Sequence, residues 1–269
     1  MTSLAHDTAA LLAVAVDAAR RAGDGLLVAQ RARVAGETLT VDTKSTHTDP
    51  VSEADRASER TIVKIILAAR PDDGVVGEED QADRPGTTGL RWVIDPLDGT
   101  VNFLQRIPQW CVSIGVEDAD GPLVGVVHHP DLDETFTAIR GGGAWLGSQR
   151  LQVTDPARLC EALLTSGFAY DQALRPGQLD AFARWGRQVR YVRRLGAAAI
   201  DLAWIAAGRG DAYAEAGLHP WDWSAGTLLV TEAGGRVTHV DVDYGGVVRS
   251  TIVAAGPGTH DRVRELLRT

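Results

Sequence analysis

Two carboxylates three residues apart, separated by a proline and followed by a glycine, are the first candidates for chemistry: Asp95-Pro96-Leu97-Asp98-Gly99-Thr100. Pro96 fixes φ and Gly99 permits a sharp bend. Both Asp side chains and the Leu97 carbonyl could then point at one spot, and hard divalent cations such as Mg²⁺ take such oxygen ligands. Asp, Pro and Gly are equally ordinary turn residues, so the segment alone fits a solvated turn as well as a metal site. Glu78, in Gly77-Glu78-Glu79-Asp80, supplies a second acidic stretch that also reads as a polar loop. Asp222, after Trp221, supplies a third; it opens a predicted helix, where capping is a rival role. Asp55 has the same rival, because Ser52-x-x-Asp55 fits a capping box.

Those residues need elements to position them. Apolar residues at helical spacing predict helices over 8–31 and 52–70, the second stopped before Pro71, with a short strand around Leu39 and Val41 and a loop between. From residue 74 the period changes. Val75-Val76 and Trp92-Val93-Ile94 read as short buried strands that end in acids. Strands follow at 111–116, 124–128 and 135–139, with hairpin turns at 118–121 and 130–133 and a tight turn at Gly141-Gly142-Gly143. Beyond that, strands at 162–166, 190–194, 211–215, 236–240 and 251–255 alternate with helices at 177–188, 197–207, 222–233 and 259–267. This order predicts a layered α/β fold with sheets between helices. It is expected as a single domain over 1–269 with a soft seam near Leu151–Ala157.

In open α/β sheets functional groups gather beyond the carboxyl ends of strands. Glu78 and Asp95 each end a strand, Asp98 lies just past one, and Asp222 follows another after a short turn. If Asp55, Glu78, Asp95, Asp98 and Asp222 share a pocket, five like charges raise one another's pKa unless cations sit among them. Two Mg²⁺ would nearly neutralise those charges and a third would reverse the sign, so that the pocket admits a phosphate dianion. That suits two-metal hydrolysis of a phosphate ester.

Composition narrows the field. The 269 residues are 44% hydrophobic, ample for a core, and the 29 Gly and 11 Pro follow no period. Lys and Arg number 27 against 36 Asp and Glu, a net charge of −9. That argues against a general nucleic-acid surface, which needs a positive field. No apolar run reaches the roughly 18 residues of a membrane span. No signal peptide is expected and the cytoplasm is the expected compartment. Cys111 and Cys160 are expected to stay reduced, Cys111 in the core.

The acidic stretches resemble the inositol monophosphatase family, within the lithium-sensitive sugar-phosphatase fold group. The likeness is carried by 44–55, Gly77-Glu78-Glu79, Trp92 through Phe103, Arg193 through Ala199, and Gly217-Leu218-His219-Pro220-Trp221-Asp222. It implies a layered αβαβα fold, Mg²⁺ dependence with two or three ions, a small phosphorylated polyol as substrate and a homodimer. By motif position Glu78, Asp95, the Leu97 carbonyl, Asp98 and Asp222 would hold metal. Thr100, with Asp55, would orient and help deprotonate the attacking water, so Thr100, Asp55, Glu78 and Asp95 form the implied catalytic group. Lys44 would lie on a loop over the site. Asp98, Gly99, Thr100, Gly196, Ala197, Ala198, Glu215 and Asp222 would contact substrate. Ala197 departs from the pattern, because many relatives carry a hydroxyl there.

The resemblance leaves three functions to separate. The leading one is hydrolysis of myo-inositol monophosphate. Histidinol-phosphate phosphatase is the neighbouring enzyme reading, and Val101-Asn102-Phe103 favours the inositol branch. A regulatory protein on transcription or RNA-processing machinery is the reading from another class, opposed by acids at every metal position. Elsewhere the residues read as structure. His128-His129 face opposite sides of a strand, Arg193-Arg194 could meet a phosphate but read first as interface or solvated charge, and Gly141–143 lacks the Lys-Ser/Thr of a phosphate loop. Trp221 is expected to brace the pocket, and His219 lies near the site with no part in the chemistry.

Overall fold

The structure, a computed structural model, describes residues 6–34, 40–43, 50–79 and 83–268. Lys44 and the loop assigned to it lie outside the described residues. The chain builds five layers. The first is a pair of helices, α1 (Thr8–Val34) and α2 (Glu53–Ala69), joined through a small hairpin of β1 (Val41–Thr43) and β2 (Pro50–Ser52). Small residues along α1, Ala15, Ala18, Ala19 and Ala22, are buried and let it lie close on the sheet beneath. Ile62 and Ile66 do the same for α2, which has the stronger apolar stripe.

The second layer is a seven-stranded sheet. Its strands are β3 (Gly74–Gly77), β4 (Arg91–Asp98), β5 (Cys111–Asp118), β6 (Gly121–His129), β7 (Glu134–Ile139), β8 (Gly143–Leu146) and β9 (Gln149–Arg150). They lie in that order, the β3–β4 pair parallel and the rest antiparallel. A short helix, α3 (Thr100–Gln105), interrupts the run between β4 and β5. The fourth layer is a five-stranded sheet ordered β11-β10-β12-β14-β13. It contains β10 (Leu163–Ser166), β11 (Tyr191–Arg193), β12 (Ala212–Ala216), β13 (Arg236–Asp243) and β14 (Val248–Ala255). Between the sheets lie α5 (Ala198–Ala206) and α6 (Pro220–Glu232), and α4 (Arg175–Gly186) with α7 (Pro257–Leu267) covers the outer face. The predicted seam, 151–157, is the passage from β9 to the second sheet.

The expected elements are present, with differences at edges and ends. β8 and the edge strand β9 span only four and two residues, too short for an alternation to be read, and only the glycine turn was expected there. β4 does not stop at Ile94. It continues to Asp98 through a bulge that shifts its register against β5 between Asp95 and Asp98, and that kink re-aims the side chains. α6 begins at Pro220, two residues earlier than expected, and Asp222 is its third residue rather than its cap.

The close seat of α6 depends on two glycines. Gly115 and Gly125 face each other across β5 and β6. A Cβ on Gly115 would stand 2.4 Å from Ser224 Oγ, and one on Gly125 would stand 2.8 Å from the Ala225 carbonyl oxygen. Backbone cannot yield as a flexible side chain can. Gly125→Ala should therefore lift the N-terminal half of α6 and cost about 1–3 kcal/mol, read as a lower urea midpoint with an unchanged slope.

Candidate active site

The bulge in β4 brings its acids to the edge of a cleft. Asp95 Oδ1 accepts the Leu97 N–H at 3.0 Å, which closes the turn on itself. The Pro96 carbonyl accepts Ser58 Oγ of α2 at 2.7 Å, so the turn is fastened to the first layer. Gly99 follows at φ 90°, a left-handed conformation that suits glycine. A Cβ there would also lie 2.8 Å from the Gln109 carbonyl. Thr100 then starts α3. Its Oγ1 lies 3.0 Å from Asp55 Oδ1 and 3.1 Å from the Leu97 carbonyl, so one hydroxyl proton is offered to two acceptors. Asp55 is fully buried behind Thr100 in the first turn of α2.

Glu78 continues the parallel pairing of β3 with β4, its N–H donating to the Ile94 carbonyl at 3.1 Å. It lines the cleft, whereas Glu79 does not and gives its N–H to Glu59 of α2. Asp222 approaches from the opposite side. Its Oδ2 accepts the His219 backbone N–H at 2.6 Å, so it steadies the start of α6 while facing the cleft. Asp98 Oδ2 accepts the Ala199 N–H at the start of α5 at 2.7 Å. The Cys111 thiol lies 3.7 Å from the same oxygen, so this buried core residue also touches the site.

The cleft encloses about 550 Å³. Glu78, Asp95, Leu97, Asp98, Gly99, Thr100 and Asp222 line one end, and Gly196, Ala198 and Glu215 continue the wall. Burial pushes Asp95 well above the usual carboxylate range, and the charges of Glu78, Asp98 and Asp222 add to it. Asp222 is raised for the same reasons, burial first and then Glu78 and Asp98. Burial raises Asp98 to about 7 although the Ala199 N–H opposes it. Burial raises Glu215 to about 6, held back by its 2.8 Å bond from the Tyr213 hydroxyl and by Arg194. A group of acids that must keep protons for want of countercharge is what a cation-binding site looks like without its cations. Among the described residues, no three His, Cys, Asp or Glu side chains are already gathered as a finished metal cage. The oxygen donors fit a hard divalent ion.

The second sheet supplies the rest of the wall. Gly196 and the residues that open α5 stand over α3, tied there by Asn102. Its Nδ2 lies 2.7 Å from the Gln109 carbonyl, 2.9 Å from that of Leu195 and 3.4 Å from that of Gly196. Ala197 is buried beneath Gly99 and does not line the cleft, unlike Ala198 beside it. His219 stacks on Trp221 with ring centroids 4.9 Å apart, and both face the cavity.

Several lining residues escaped the sequence reading: Phe168, Tyr170, Asp171, Leu174 and Arg249. Phe168 and Tyr170 follow the carboxyl end of β10, so the strand-end rule could have found them. Arg249 carries no such signal. Arg194, expected as a solvated or interface charge, instead stands in the cleft wall, while Arg193 does not. His128 and His129 are buried away from the cleft, as their structural reading requires. Both cysteines are free thiols.

Residues 7–269 match the inositol monophosphatase family. The chain is 38% identical to the Nus factor SuhB of Pasteurella multocida, over 92% of this chain and 91% of that protein. It is 37% identical to the inositol-1-monophosphatase of Caulobacter vibrioides, over 94% of this chain and 99% of that protein. The crystal structure of the extragenic suppressor protein suhB from Bartonella henselae superposes with a TM-score of 0.87 at 35% identity, covering 97% of this chain and 99% of that one. Sequence and fold agree along the whole length, and on that ground this chain belongs to the inositol monophosphatase family and is a phosphoric monoester hydrolase.

Proposed function

We propose that this chain hydrolyses myo-inositol monophosphate to inositol and phosphate, with two or three Mg²⁺, and that Li⁺ suppresses the reaction. The observation that carries the reading is the Thr100–Asp55 pair set at the end of a cleft that Glu78, Asp95, Asp98, Asp222 and Glu215 line. Members of this family are generally metal-dependent. Glu78, Asp95, Asp98, Asp222 and the Leu97 carbonyl would hold the ions, which supply charge neutralisation and make water at the site more acidic.

The chain's own groups do the positioning. Thr100 Oγ1 accepts a hydrogen bond from the attacking water and holds it in line with phosphorus, and Asp55 takes the proton through the Thr100 hydroxyl. A new bond forms from the water oxygen to phosphorus as the bond to the polyol oxygen breaks, and that oxygen takes a proton from solvent. Glu215 and the backbone at Gly196 and Ala198 face the polyol hydroxyls. Asp98 serves both ends through its bond to α5. The homodimer, the cytoplasmic setting and the role of Lys44 over the site belong to the same proposal. Among the described residues no helix is long and apolar enough to cross a membrane. The printed names of relatives include both inositol-1-monophosphatases and SuhB factors. A purely regulatory role leaves the full set of acids without work, so catalysis is the better reading.

Substitutions test the roles. Asp95→Asn should lower kcat/KM by about 10²–10³, roughly 3–4 kcal/mol of transition-state stabilisation. Thr100→Ala should cost a similar factor, and adding Asp55→Asn to it should cost little more, because the two act as one unit. Phosphate release with inositol 1-phosphate, with folding checked by circular dichroism, reads all three. A near-normal Asp95→Asn enzyme would sink the assignment.

On a panel of inositol 1-phosphate, histidinol phosphate and glycerol 2-phosphate, kcat/KM should be highest for inositol phosphate, and Li⁺ should inhibit. A preference for histidinol phosphate would move the substrate to the neighbouring branch.

Acidity gives a test that needs no turnover. Unfolded, Asp98 and Glu215 lose their protons near pH 4; folded and metal-free, they keep them to about 7 and about 6. Their contribution to stability is therefore present at low pH and lost as pH rises through those values, about 2 kcal/mol for Glu215. Burial lowers His128, His129 and His260, whose contribution runs the other way and is lost as pH falls. The difference in Tm between Mg²⁺ and EDTA cancels the histidines. It should widen from pH 5 to pH 8; a constant gap would contradict the acid cluster.

A further inference from the structure

The inference that follows rests on the reading of Glu215 as an acceptor for a polyol hydroxyl, and it concerns what holds that carboxylate in place. A glutamate side chain is long and flexible, so its backbone position alone does not aim it. Glu215 stands near the end of β12, whose parallel pairing with β10 sets Ala214 beside Ser166. The residue after Ser166 is Gly167. A Cβ on Gly167 would stand 2.1 Å from Glu215 Oε1 and 2.2 Å from both Oε2 and the carboxyl carbon. The whole carboxylate therefore fills the space that any other residue's side chain would take. Gly167 is not among the glycines with positive φ, so its conformation does not call for glycine; the room beside Glu215 does.

Tyr213 supplies the second half of the seat. It lies two residues earlier on the same strand, so its side chain leaves the same face as that of Glu215. The ring is fully buried in the core between the sheets, which fixes the donor, and its hydroxyl donates to Glu215 Oε2 at 2.8 Å. Hydrogen bonds to an ionised acceptor are short and strong. Burial raises Glu215, and this bond and then the charge of Arg194 oppose it, which favours the ionised form that can only accept. The strand beneath is itself held on both edges, by β10 and by β14. Glu215 lines the cleft, whereas Tyr213 and Gly167 do not.

We propose that Tyr213 and Gly167 are positioning residues that seat the Glu215 carboxylate against the cleft, and that this seat sets the preference for hydroxyl-bearing phosphate esters over bare ones. The phenol fixes one oxygen from behind, and the glycine gap receives the carboxylate from the side. Substrate then meets an acceptor already aimed, with no side-chain freedom left to lose on binding. The competing explanation is that the bond only satisfies a buried phenol, and that Gly167 only relieves crowding between two strands.

The test separates seating from folding and from chemistry. Wild type, Tyr213→Phe, Gly167→Ala, Glu215→Gln and Tyr213→Phe/Glu215→Gln are compared on inositol 1-phosphate and on cyclohexyl phosphate, which keeps the ring and the ester without the hydroxyls. With inositol 1-phosphate, Tyr213→Phe and Gly167→Ala should each raise KM about 5–10-fold and lower kcat less than about 3-fold. With cyclohexyl phosphate, both variants should move KM less than about 2-fold. Adding Tyr213→Phe to Glu215→Gln should raise KM less than about 2-fold further, because the two act through one carboxylate. An equal rise for both esters, no rise for inositol 1-phosphate, or full additivity in the double variant would overturn the seat. Binding of the matching phosphonates to the Mg²⁺-loaded proteins is read by calorimetry on the same preparations, with the same selective weakening expected in Kd. If wild type releases phosphate from neither ester, a selective loss of inositol phosphonate binding supports the seat and overturns the phosphatase reading alone, and an unselective one overturns both.

Discussion

Repulsion among carboxylates governs this molecule. Asp95, Asp98, Asp222 and Glu78 face one cleft, and three of them hold their protons to a higher pH than an ordinary carboxyl, through burial first and then through neighbouring acids. No hydrophobic gain at the site offsets that. The surrounding fold must hold the acids in place while they repel, and three of them are anchored through backbone: Asp95 on the Leu97 N–H, Asp98 on the Ala199 N–H, Asp222 on the His219 N–H. A carboxylate fixed by backbone donors keeps its position whether or not it carries charge.

The layers explain how such anchors converge. The parallel step from β3 to β4 sets Glu78 beside Asp95, and the bulge in β4 turns Asp98 the same way. The glycine pair on β5 and β6 lets α6 settle low enough for Asp222 to enter from above. α2, in the outermost layer, reaches through with Ser58 and Asp55. Four segments distant in sequence therefore meet at one edge of the seven-stranded sheet, and the five-stranded sheet closes the space opposite with Glu215.

Much of this could be read in the residues beforehand. Acids that end apolar runs, Glu78 and Asp95, marked the strand ends because burial and charge change abruptly there. The Pro-x-x-Gly frame marked the bend. Three things could not be read. The bulge depends on pairing with β5, a tertiary register invisible in local composition. Strands β8 and β9 are too short for an alternation to show. Arg194 and Arg249 look like any surface arginine, because what distinguishes them is the wall opposite. Ala197 shows the reverse failure: its place in a motif suggested contact, yet the turn at Gly99 covers it.

Asn102 holds a further consequence. Its single amide nitrogen lies within reach of the carbonyls of Gln109, Leu195 and Gly196, and so bolts the helix after the acidic bend to the loop that opens α5. The two sheets contribute separate halves of the cleft, and this bolt, with the Asp98–Ala199 bond, sets the gap between them. Residues on the far half, such as Phe168, Tyr170 and Leu174, can be exchanged without disturbing the acidic half. One scaffold can in this way change its clientele while its chemistry stays constant.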